Sequence, residues 1–142
     1  MKTLAVFTVL LGVIAVFSPR FPFGQSNESA HAIATNYVTY RNAAMMCAVN
    51  HTDSTGSLET AMLGLPPHWR ALRSWKNQIE NHTLYVYGKA TSQEIVAAEV
   101  LLKGSFAVGA NKNSHLVTMH GTGVALPSFI PEGDLVSIIT VE

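Results

Sequence analysis

From Leu4 to Phe17 every position except Thr8 and Gly12 carries an apolar side chain, and the run is preceded by Lys2 and the terminal amine. An uncharged N-terminal run of this kind reads as an export signal. It is shorter than the roughly 20 residues of a full span and suits a signal-peptide core equally well. The flanks favour retention. Cleavage wants small residues just beyond the core, whereas Phe17-Ser18-Pro19-Arg20-Phe21-Pro22-Phe23 follows, and the small-x-small triplet Ala30-His31-Ala32 lies too far downstream. No cysteine stands after the core for lipidation, and no glycine precedes the run as in a prepilin leader. The expectation is a membrane anchor over residues 1–18, contacting the bilayer through Leu4 to Phe17, with Phe21 and Phe23 at the interface. That places the chain in a bacterial inner membrane as a single span, N-terminus cytoplasmic and domain periplasmic.

Beyond the run the pattern becomes polar. Pro19, Pro22, Gly24, Gln25, Ser26 and Asn27 disfavour regular structure and predict a tether over residues 19–31. Ile33, Tyr37, Tyr40, Ala44 and Cys47 then recur at intervals of four and three, which predicts a helix to about Ala48 with one apolar stripe turned to a sheet. Asn50 to Ser57 is a polar turn that ends it. A short amphipathic segment, Leu58 to Leu65, stops at Pro66-Pro67, and Trp69 and Trp75 follow as covers for the core rather than as stacking platforms for a ligand.

Leu84-Tyr85-Val86-Tyr87-Gly88 reads as a strand by its aromatic and β-branched content. Thr91 and Glu94 have the spacing of a capping box, Ile95 to Leu102 supply apolar positions, and Gly104 permits a left-handed stop, which predicts a helix over residues 92–103. Phe106 to Gly109 and His115 to Thr118 form a hairpin about Asn111-Lys112-Asn113, and Gly121-Thr122-Gly123 breaks the strand pattern. Leu135 to Val141 predicts a buried strand entered by the turn Pro131-Glu132-Gly133-Asp134. The fold class is α+β: one β-sheet packed against helices in a single domain over residues 32–142.

Charge and chemistry narrow the function. Nine Lys and Arg balance nine Asp and Glu, so no basic face invites nucleic acid. Cys47 is alone, which excludes an intrachain disulfide and a four-thiolate zinc site, and its position on the helix stripe reads as a small buried apolar side chain. The six histidines, at 31, 51, 68, 82, 115 and 120, show no zinc-ligand spacing and read as surface residues. No serine sits in Gly-x-Ser-x-Gly or Ser-x-x-Lys, and no phosphate loop or dinucleotide fingerprint is present. Asp53, Glu59, Glu132 and Asp134 are the carboxylates left to pair in space. The expectation is no catalytic, cofactor-binding or metal residue, no cofactor, no small-molecule substrate, and binding residues that the sequence does not single out. Asn27, Asn50 and Asn81 open N-x-Ser/Thr acceptor triplets of the kind that chance supplies.

The order of several short motifs carries further. Tyr37-Val38-Thr39-Tyr40-Arg41-Asn42-Ala43, Gly56, Leu63-Gly64-Leu65-Pro66, Trp69, Trp75, Leu84-Tyr85-Val86-Tyr87-Gly88 and Leu126-Pro127-Ser128-Phe129-Ile130-Pro131 together resemble the PilM family of type IVB, or thin, pilus biogenesis proteins. The resemblance implies a non-enzymatic inner-membrane component of the pilus assembly apparatus or its basal body, docking other pilus-assembly proteins in the periplasm. Tyr37, Tyr40, Arg41, Trp69, Trp75, Tyr85 and Tyr87 match family-like positions, and core and scaffold is their plainer reading. The alternatives are a minor pilin-like subunit and a small secreted periplasmic hydrolase built around His115 or His120.

Overall fold

A computed structural model of the chain describes residues 23–142. A long helix, α1 (Phe23–Asn50), leads into an irregular segment with one 3-10 turn at Thr60–Met62. Then come β1 (Lys76–Glu80), β2 (Thr83–Gly88), α2 (Ser92–Leu101), β3 (Val108–Lys112), β4 (His115–Thr118), β5 (Gly121–Ala125) and β6 (Leu135–Thr140). The six strands form one sheet in the order β1-β2-β6-β3-β4-β5, antiparallel throughout. The α+β class is as expected, and the C-terminal strand lies at the centre of the sheet.

Alternation in the central strands sorts side chains to two faces. Leu84, Val86, Val108 and Leu135 join Ala34, Tyr37, Ala44 and Cys47 of α1 and Ala98 of α2 in the main core. Tyr87, Val136 and Leu116 point the other way and meet Leu126 and Ile130 of the β5–β6 connection. That connection is therefore a strap across the back of the sheet, which supplies a second small core opposite the helices.

The α1 stripe is as the spacing predicts, but the helix begins at Phe23, so residues 23–31, expected as tether, are its first turns. Ala30 and Ala34 extend the buried stripe in that direction, and no proline lies between Phe23 and Asn50. The capping box of α2 forms as read: Glu94 N–H donates to the Thr91 hydroxyl and Thr91 N–H to the Glu94 carboxylate. Gly104 ends the helix at a φ of 65°, in the left-handed region that glycine adopts without strain.

Three local expectations are corrected. Gly121-Thr122-Gly123 does not break the pattern but opens β5. The hairpin turns at Asn113 and Ser114, with φ of 52° and 58°, rather than about Asn111 to Asn113. Only a 3-10 turn forms within Leu58 to Leu65, although Leu58 and Leu63 are buried. The localisation is corrected too. An inner-membrane single span with a periplasmic domain finds no support, because no helix among the described residues is long and apolar enough to cross a membrane. The anchor assigned to Leu4 to Phe17 lies outside the described residues.

Candidate interaction surfaces

The aromatic residues singled out in the sequence converge on the junction between α1, β1 and β2. Tyr37 is fully buried. A phenol has one proton, so its hydroxyl donates to Val86 O at 2.8 Å and accepts from the Ser137 hydroxyl at 2.7 Å, tying α1 to β2 and β6. Burial pushes the phenol pKa far above its ordinary range, against the opposing hydrogen bond from Ser137 and the charge of Arg41. Trp75 meets Tyr37 edge-on at 5.0 Å, and Trp69 stacks on Tyr40 at 5.9 Å. Sequence reasoning placed the two tryptophans over the core, and the structure agrees: Trp75 is buried and Trp69 half-buried.

Two asparagines that the sequence reading passed over complete this junction. Asn36, on α1, accepts from Trp75 Nε1 at 2.8 Å and from Leu72 N–H at 2.9 Å, and donates to Arg70 O. Asn77, buried in β1, accepts from Leu58 N–H at 2.7 Å while its amide donates to Leu58 O and to the Tyr40 hydroxyl. The irregular segment from Leu58 to Trp75 is thus pinned by side-chain amides where backbone pairing is lacking. Lys76-Asn77-Gln78-Ile79-Glu80 holds one apolar residue, too few for an alternation, so no local signal marks β1 or its anchor.

Arg73 closes the same region against α2. Its Nη2 lies 2.6 Å from a Glu94 oxygen, and the guanidinium is 40% exposed while the carboxylate is buried. Desolvation raises the Glu94 pKa, but hydrogen bonds from Arg73 and from the Thr91 backbone, with the Arg73 charge, outweigh it and hold the pKa below its ordinary value. A depressed pKa contributes stability that is present at neutral pH and is lost as pH falls through the folded value, so the window lies below the reference of 4.5. Denaturation midpoints measured from pH 6 to pH 2 are expected to fall more steeply below 4.5 in the wild type than in Glu94→Gln.

Of the remaining candidates, Cys47 and His51 meet at the end of α1, with Sγ 3.9 Å from Nδ1, and the others lie apart. All six histidines are exposed. His115 Nδ1 faces Asn113 O and His120 Nε2 faces Gly104 O, in both cases a backbone carbonyl. Cys47 is buried. The four unassigned carboxylates do not pair with one another: Glu132 accepts from Asn113 N–H through both oxygens, Asp53 and Glu59 are exposed, and Asp134 is buried at the start of β6. Burial pushes the Asp134 pKa up, opposed by the charges of Lys76 and Lys89. Arg41 lies half-buried beside Tyr37, with its Nε lacking a hydrogen bond, and desolvation lowers its pKa. No group of three or more metal-ligating side chains is assembled among the described residues.

What the molecule offers outward is concave and mostly apolar. One groove, about 690 Å³, is lined by Leu72, Arg73 and Trp75 together with Lys89 and Ala90. A second, about 470 Å³, lies between the start of α1 and the outer face of α2, where Val96 and Val100 are exposed. Sequence pattern counted these valines toward the apolar face of α2, but a helix with apolar residues on most sides cannot bury them all against one sheet.

The class defined by this fold and these surfaces is a small α+β domain in which Tyr37, Tyr40, Trp69 and Trp75 are committed to internal packing and apolar grooves face outward. The chain belongs to the PilM family, whose model matches residues 6–138. It is therefore a PilM-family pilus biogenesis protein. Its fold is similar to a crystal structure of PilM from Escherichia coli B7A, with a TM-score of 0.64 and 22% identity over 81% of this chain and 94% of that one. A PilM protein from Pseudomonas aeruginosa 2192 is 26% identical, over 79% of this chain and 97% of that one, with a TM-score of 0.44. No curated protein matches.

Proposed function

We propose that this protein is a non-enzymatic component of the type IVB pilus assembly apparatus or its basal body that works by docking other pilus-assembly proteins. The observation that carries the reading is the family match over residues 6–138, which spans the helices and all of the sheet except its last residues. The placement of the aromatic residues supports it. Tyr37, Tyr40, Trp69 and Trp75 act on one another and on the backbone, which suits a rigid body presenting a surface. Large apolar side chains left in solvent, Leu72, Val96, Val100 and Phe106 among them, suit such a surface as well.

Deleting the gene in a piliated host and scoring surface pili by electron microscopy tests this reading. Pili are expected to disappear in the deletion strain and return on complementation with the full chain. Normal piliation without the protein would remove the role in assembly.

A further inference from the structure

The two edges of the sheet are finished differently. At β1 the preceding segment closes the outer edge: Gly56 and Ile79 exchange both backbone hydrogen bonds, at 2.9 and 2.8 Å, and Asn77 holds Leu58 alongside. At β5 no covering segment is present among the described residues, and Gly121, Gly123, Val124 and Ala125 are exposed. The strand contains no charge and no proline, two of the devices by which an edge is kept from pairing, and its one irregularity is a one-residue register shift against β4 between Thr122 and Ala125. Ala125 pairs with His115 while the next residue, Leu126, donates to Ser114 O at 2.8 Å, so the Ala125 N–H and C=O are directed away from β4.

Beside this edge, on the strap side of the sheet, lies a groove of about 450 Å³ lined by Leu116, Ile138, Phe106, His120 and Val124. Phe106 is 76% exposed and Val124 57%. The Phe106 ring lies 4.4 Å from the His120 ring, and no residue of the groove carries a formal charge other than through His120.

We propose that β5 is a self-pairing edge: a second copy of this chain adds its own β5 antiparallel to this one, joining two six-stranded sheets across a two-fold axis. A two-fold interface must be compatible with itself. An uncharged strand meets that condition because no like charges are opposed, and the antiparallel direction sets the two His120 side chains at opposite ends of the seam. Gly121 and Gly123 allow close approach of the second backbone, whose strand also covers part of Val124. A pairing of two short strands buries less than the roughly 1,200 Å² of a standard interface, so the dimer is weak and depends on concentration. The inference is separate from the pilus reading, since a monomer could still serve in pilus assembly.

The test uses the full chain in sedimentation velocity over about a hundred-fold range of concentration, equivalent to two decades in an apparent Kd. Hydrogen exchange is read on the β5 and β1 amides at both ends of that range. The mass is expected to rise toward the dimer with concentration while exchange slows in β5 and stays constant in β1. Val124→Lys and Gly123→Pro should each abolish both changes. Val124 is solvent-exposed, so Val124→Lys carries the test if Gly123→Pro disturbs folding. A monomer throughout, a dimer whose β5 exchange ignores concentration, or a dimer that survives in folded Val124→Lys would overturn the proposal.

Discussion

Replacing Tyr37 with alanine is expected to lower the unfolding free energy by about 3–5 kcal/mol, the range for truncating a large buried ring. The ring is fully buried where α1 crosses the sheet, and its loss opens a cavity beneath Trp75. Tyr37→Phe separates the two parts of this role. The ring stays, but Val86 O and the Ser137 hydroxyl lose their partner in a dry site, at a cost of about 1–3 kcal/mol. Urea denaturation of both variants measures the difference. Equal midpoints for Tyr37→Phe and the wild type would mean that the hydrogen bonds are replaced by others and that α1 is held by apolar contact alone.

The second large effect is expected at Gly109. A Cβ built there would sit 2.1 Å from Val117 O and 2.7 Å from Val117 C, both backbone atoms of the neighbouring strand that have no flexible side chain to withdraw. Gly109→Ala must therefore push β3 and β4 apart, with a cost of about 3 kcal/mol or more, at the upper end of overpacking penalties. Thermal unfolding shows this as a lowered Tm, and hydrogen exchange should show the loss of protection centred on β3 and β4. A melting temperature within a degree or two of wild type would mean that the two strands lie farther apart than described.

The fold was legible where one local rule acted alone. The α2 capping box and its glycine stop follow from Thr91, Glu94 and Gly104, whose bonds and dihedrals require nothing from the rest of the chain. The buried β6 was legible because a β-branched run of that length has few alternatives. Tertiary contacts decided the rest. β1 is mostly polar and becomes a strand because Asn77 and Ile79 meet Leu58, Tyr40 and Gly56, contacts at sequence separations that no window reads. Gly121 and Gly123 argued against a strand by propensity, yet an edge next to β4 tolerates them since neither needs a side chain to pack there.

The surfaces were less legible than the fold. The family-like residues Tyr37, Tyr40, Trp69 and Trp75 were read as core and scaffold, and their contacts are internal. Val96 and Val100 were counted toward the apolar face of α2 and are in fact exposed on its outer side, and Phe106, read as part of an extended segment, is exposed ahead of β3. Which apolar residues remain in water is a property of the packing and leaves no mark in the local sequence.

Docking of pilus-assembly proteins is tested most directly by crosslinking intact piliated cells and purifying the tagged full chain, with quantitative mass spectrometry against an untagged strain. Strong enrichment of proteins encoded for the same pilus system is expected. Recovery of the protein with no pilus-assembly protein above background, from cells in which the tagged chain supports piliation, would contradict it.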